Sequence, residues 1–197
     1  MSEYVTSMQA QSGPMSDWYQ IIADIDATAE SAEDFANRLR EWMISHRIIA
    51  TEKTDCVLGK DPGHAPGENY VRAAEESDGQ LFKTRPNGVT FVAEKTIFYS
   101  GGVAEIYLIC SACGARFKQN DAWSDALGDW YKSGGTGWLE CERCAKRVPI
   151  TEWQHDPPWA FGYVGVEFWN WPRLRPAFIA EATSLLGHRV RLIYGKV

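Results

Sequence analysis

The sequence lacks most of the marks by which an enzyme is recognised. Its 197 residues contain no Gly-x-Ser-x-Gly elbow, no His-Glu-x-x-His and no dinucleotide fingerprint. The Gly-rich stretch Ser133-Gly-Gly-Thr-Gly137 lacks the Lys-Ser/Thr ending of a phosphate-binding loop. Histidine is scarce, with one each at positions 46, 64, 155 and 188. Only two short pairings suggest catalysis: His155-Asp156, and Cys56 with His64, which has no evident third group to orient it. Long apolar runs are missing as well. No stretch approaches the ~18 apolar residues that a membrane span needs. Residues 1–15 have neither the basic nor the apolar region of a secretory signal. These absences lead to the expectation of a cytoplasmic, non-enzymatic chain with no membrane partner.

The composition is that of a folded protein, 45% hydrophobic and 13% aromatic. The formal charge of −6 is unevenly spread. Residues 1–100 hold 9 Lys and Arg against 16 Asp and Glu, and residues 101–197 hold 11 against 10. An acidic first half disfavours a broad nucleic-acid footprint there and suits a basic protein partner. Solubility alone is the plainer explanation for a mild acidic excess.

Residues 1–16 read as a mobile arm. A short strand at 19–23 leads into Asp24, Asp26, Glu30, Glu33 and Asp34, with no basic residue between 24 and 34. Ser31 to Asp34 resembles a capping box, and helical spacing follows in Ala32, Phe35, Ala36, Leu39, Trp42 and Met43. Asp61 to Gly67 reads as a loop, and Glu75, Glu76 and Asp78 form another acidic stretch. Strands are expected at 89–97 and 103–109, joined as a hairpin through Ser100-Gly-Gly102. A helix is expected over 121–130, with Asp121, Asp125 and Asp129 along one side. A strand at 163–168, a helix opened by Pro176 and closed by Gly187, and a strand from Val190 complete the chain.

Residues 19–49 and 163–190 both run strand, helix, then His-Arg-aliphatic. Either chance or duplication could produce this echo. The expected fold is α+β: a mixed sheet with two strand-helix-strand units, whose crossovers would pair strands in parallel. Its core would comprise 17–107 and 149–197, with a metal-binding insert at 108–148.

That insert carries the sharpest signal. Cys110-Ser-Ala-Cys113 and Cys141-Glu-Arg-Cys144 are two Cys-x-x-Cys turns separated by 27 residues. Each turn can aim two thiolates at one ion, and two turns complete a tetrahedral shell. An iron–sulfur cluster or a redox pair fits less well, because the spacing is symmetric and no thioredoxin-like context surrounds either pair. Over residues 108–148 the chain resembles the zinc ribbon and related four-cysteine zinc knuckles. The resemblance implies one structural Zn2+ per chain, held by Cys110, Cys113, Cys141 and Cys144. Cys56 is left over and reads as a buried, inert thiol.

Seven of the nine Trp lie between residues 123 and 171. They could form a stacking platform, a protein-binding hot spot, or the packing of a zinc-bound layer onto the sheet. Residues 148–172 contain no Lys or Arg, so packing is the expected role.

The knuckle pair followed by Gly162 to Pro172 resembles small cytoplasmic bacterial proteins with the same arrangement. In size, acidity and lack of catalytic motifs the chain is also similar to immunity proteins of secreted bacterial toxins. That class resemblance implies a protein partner, such as a basic nuclease domain. The carboxylates of Asp24, Asp26, Glu30, Glu33 and Asp34, or of Asp121, Asp125 and Asp129, would meet it in place of phosphates. Two alternatives stand beside it: a nucleic-acid-binding zinc-ribbon regulator, and an enzyme of unrecognised class.

Overall fold

The computed structural model describes residues 17–59, 61–75, 81–103 and 105–197. The expected arm at 1–16, and Glu76 and Asp78, lie outside them. In chain order the strands and helices are β1 (Trp18–Asp24), α1 (Ala32–Ser45), β2 (Ile49–Thr54), β3 (Gly63–Pro66), β4 (Gly88–Val92), β5 (Thr96–Phe98), β6 (Tyr107–Ile109), β7 (Arg116–Lys118), α2 (Asp121–Gly128), β8 (Trp138–Glu140), β9 (Arg147–Pro149), β10 (Gln154–Asp156), β11 (Ala160–Gly162), β12 (Val164–Trp169), α3 (Pro176–Leu186) and β13 (Val190–Lys196).

The fold is α+β. Six strands form the main sheet in the order β13-β1-β12-β4-β3-β2. Both strand-helix-strand units, β1-α1-β2 and β12-α3-β13, share this sheet. The parallel pairing expected of them is corrected, because every neighbouring pair is antiparallel. Each unit's two strands do run in one direction, but β1 fills the slot between β12 and β13. Likewise β12, β4 and β3 separate β1 from β2.

Both helices lie on one face of the sheet. α1 buries Ala32, Ala36, Leu39 and Met43, and α3 buries Phe178, Ala182 and Leu186, each at helical spacing. They meet Ile22, Val89, Val166 and Phe168 in one apolar cluster. Trp42 of α1 stacks on Phe178 of α3, with centroids 5.5 Å apart. Alternate residues of the same strands face the other way, and Tyr19, Ile21 and Trp169 join Phe98 and Ala160 in a second cluster. The β5–β11 pair covers that side.

Three local expectations are corrected. Ser31 precedes α1, but its side chain caps nothing in the helix and instead accepts a hydrogen bond from the Thr28 N–H at 3.1 Å. The hairpin at 100–102 does not form, since β5 pairs with β11 while β6 pairs with β7 and β10. Its turn residues bind remote groups: Ser100 donates to the Pro158 carbonyl at 3.1 Å, and the Gly101 N–H donates to Tyr19 Oη at 2.8 Å. The expected loop at 61–67 contains β3, an interior strand. Gly63 sits there because of a close approach, as a Cβ would lie 2.5 Å from a Val57 methyl.

Asp24 ends β1 fully buried. Its carboxylate accepts the N–H groups of Asp26 and Ala27 at 2.9 and 3.0 Å and faces His188 Nδ1 at 2.8 Å. Removing it leaves two backbone donors and a half-buried imidazole without their acceptor. Asp24→Ala should therefore cost about 2–4 kcal/mol. A urea midpoint equal to that of the parent would contradict this account.

Candidate metal centre

The Cys-bearing segment is built from two matching halves. Cys110 follows β6 and its turn leads into β7; Cys141 follows β8 and its turn leads into β9. In each half the first Cys N–H donates back across the turn, from Cys110 to the Ala115 carbonyl and from Cys141 to the Lys146 carbonyl, both at 2.9 Å. The residue after the second Cys closes the turn, Gly114 onto the Cys110 carbonyl and Ala145 onto the Cys141 carbonyl, both at 2.8 Å. These two residues have φ of 69° and 55°. The left-handed turn suits Gly114, whereas Ala145 adopts it against the usual steric cost.

The turns bring the four sulfurs together. Cys110 and Cys144 Sγ are 4.0 Å apart, Cys113 and Cys141 Sγ are 3.7 Å apart, and all four lie within 4.8 Å of one another. A tetrahedral ion with metal–sulfur bonds of about 2.3 Å would set its sulfurs roughly 3.8 Å apart. The four cysteines are thus positioned to coordinate one metal ion. Cys110 and Cys141 are buried, Cys144 is half-buried and Cys113 is exposed.

The bare thiols do not share their protons evenly. Burial opposes ionisation of Cys141, but the N–H groups of Cys144 and Arg143 and the neighbouring sulfurs outweigh it and lower the thiol to about 7. At Cys113 the Ala115 N–H favours the thiolate, yet burial and the other three sulfurs push it up to about 11. A divalent ion would displace the remaining protons, so ion uptake releases acid.

Beneath the sulfurs is a separate apolar cluster of Leu108, Trp123, Ala126, Leu139, Val148 and Trp153, among others. The packing of this segment also draws on residues beyond 148. β10 pairs with β6, and Ile150, Trp153, Trp159 and Phe161 belong to the same core. Helix α2 forms where expected but ends at Gly128, and Asp129–Ser133 continues as a wider π turn. Asn120 anchors its start, accepting the Trp123 N–H at 3.0 Å and donating to Glu142 beside the second knuckle at 2.9 Å.

The aromatic block is mostly packing, as expected. Trp123, Trp130, Trp153, Trp159, Trp169 and Trp171 are buried, while Trp138 is 49% exposed. His155 stacks on Trp159 and its Nε2 accepts from Trp123 Nε1 at 3.3 Å. Burial lowers His155 to about 4, so it is a neutral core residue. Asp156 is exposed and pairs with Arg116 at 2.7 Å, which separates it from His155. Cys56 and His64 lie on opposite faces of the main sheet. Cys56 belongs to the Tyr19 and Phe98 cluster, whereas His64 pairs with Val89 and packs on Phe91 on the helix side. Neither catalytic pairing is assembled.

The acidic candidates divide by placement. Asp24 is buried, as above. Asp26 is held by Arg189, whose hydrogen bonds keep its carboxyl below the ordinary range. Both carboxylates are therefore engaged within the chain. Glu30, Glu33 and Asp34 stand exposed around the start of α1. Asp121 and Asp125 are exposed on α2, whereas Asp129 accepts the Gly137 N–H at 2.9 Å and pins the glycine loop. Sequence reasoning passed over Glu167. The signal was available: a single carboxylate in mid-strand, in the apolar run Val164-Gly-Val-Glu-Phe-Trp169.

No family model, curated protein or solved structure matches this chain. Among the described residues, no helix is long and apolar enough to cross a membrane.

Proposed function

We propose that this chain is a non-enzymatic, zinc-stabilised protein-binding module: an immunity protein that binds and neutralises a secreted bacterial toxin bearing a basic domain such as a nuclease. The observation that carries the reading is the acidic corner at the start of α1. Glu30, Glu33 and Asp34 are exposed there, and none of them forms an ion pair among the described residues. Carboxylates without a cation, set on a rigid helix start, can meet cationic side chains that would otherwise hold phosphates. The metal supports the same reading. Zinc prefers four thiolates in a tetrahedral shell, and a full shell leaves no position for a reacting water, so the ion serves the scaffold.

Co-expression with the product of the adjacent gene should give a stoichiometric complex. The triple change Glu30→Lys, Glu33→Lys and Asp34→Lys should weaken it by at least roughly tenfold, mainly through slower association. An unchanged affinity would remove the acidic corner from the interface.

A second reading, nucleic-acid binding, is favoured by one feature of the metal segment. Arg147 and Arg116 lie over the rings of Trp138 and Tyr107, at 5.8 and 3.5 Å. Residues 105–149 nevertheless carry six Lys and Arg against six Asp and Glu, a poor phosphate footprint. Purification with bound nucleic acid, lost steeply with salt, would replace the first reading by this one.

A further inference from the structure

The sheet face opposite the helices carries a cavity of about 150 Å³ that neither the metal centre nor the acidic corner uses. Four of the residues lining it are aromatic: Tyr19, Phe98, Tyr99 and Trp169. A fifth is Glu167, whose register neighbours on β1 and β4 are Ile21 and Thr90. Among the described residues no Lys, Arg or His forms an ion pair with Glu167. Burial pushes its carboxyl above the ordinary range, opposed by the Trp169 side chain. The indole Nε1 of Trp169 is buried beside it and is the donor through which that side chain favours the charged carboxyl. The Tyr19 hydroxyl is committed elsewhere, donating to the Tyr99 carbonyl and accepting from the Gly101 N–H, both at 2.8 Å. That pair of bonds fixes the Tyr19 ring as a wall, 5.1 Å from the Trp169 ring.

A carboxylate set among rings with no cation is costly to keep charged. Aromatic faces are electronegative and favour weakly hydrated cations over anions. We propose that this cavity binds a small alkylammonium group, with Glu167 as counter-ion and Tyr19, Phe98, Tyr99 and Trp169 as the cage. An anion would face the carboxylate, and a neutral apolar guest would leave it uncompensated. The volume admits a head group of a few heavy atoms and excludes a nucleotide. The group could arrive as a free small cation or as a lysine side chain of a protein.

The test is titration of the full chain, following the Trp169 indole N–H by NMR, with three probes. These are choline chloride, its neutral isostere 3,3-dimethyl-1-butanol, and the peptide Gly-Lys-Gly. A cation should bind at least roughly tenfold more tightly than the neutral alcohol, and Glu167→Gln should abolish that preference. Tyr99→Ala, at a half-exposed rim position, should weaken cation binding several-fold and leave the fold intact. Choline binding alone identifies a free cation as the source, and peptide binding identifies a side chain. Equal binding of the alcohol, an unchanged cation affinity in Glu167→Gln, or no cation binding up to about 50 mM would each overturn the proposal.

Discussion

Stripping the metal with a chelator, or replacing Cys141 with Ser, should melt the segment from β6 to β10 while the six-stranded sheet stays folded. The segment's hairpins are only three residues per strand. Strands that short do not hold themselves together in water. The sulfurs join the two halves at one point, and structural zinc supplies about 10–16 kcal/mol of apparent binding free energy in small domains at neutral pH. Loss here should be smaller than that, because Trp123, Trp153 and their neighbours form a core of their own. The main sheet draws on other residues, its helix-side cluster containing none of the cysteines. Amide exchange is the measurement. Leu108, Leu139 and Val148 should lose protection on metal removal, and Ile22 and Val166 should keep it. Unfolding of the whole chain in one step, or retained protection in the segment, would contradict this division.

The complementary result is expected from Trp171→Ala, which should cost about 3–5 kcal/mol and lower the stability of the sheet and helices together. Trp171 is fully buried, edge-on to Phe168 at 5.3 Å and to Tyr70 at 6.3 Å. Truncation leaves a ring-sized void beneath both helices. Among the described residues its Nε1 has no hydrogen-bond partner, so Trp171→Phe removes an unsatisfied donor while keeping most of the packing. Phe should therefore cost clearly less than Ala, as read from denaturant midpoints. Equal losses would mean that the indole N–H, rather than ring volume, matters at this site.

The metal ligands were legible in the sequence because the chemistry is local: two thiolates per turn, two turns per ion. Helices α1 and α3 were legible from apolar spacing, and the strands beside them from alternation. Glycine and proline misled at 61–67, where Gly63 answers to the nearness of Val57 rather than to a turn. The antiparallel order was not legible. Nothing local to β12 or β13 says that β1, some 150 residues earlier, will lie between them. Asp24 and Asp26 looked like free surface charge because their partners, His188 and Arg189, arrive from the other end of the sequence. Glu167 was hidden for the same reason, since its cavity is closed by Phe98 and Tyr99 from a distant segment.

The position of β1 between β12 and β13 also sets an order of events during synthesis. Tyr19 must wait for Trp169, its register partner 150 residues downstream. At about 5–20 residues per second that wait is roughly 8–30 s. Until then β1, with its run of buried residues, has both edges bare on the ribosome. The Cys-bearing segment needs only its own short stretch of chain and a metal ion to close. Its core residues lie within 108–161, so it can close before β12 is made, while β1 still waits for its partners.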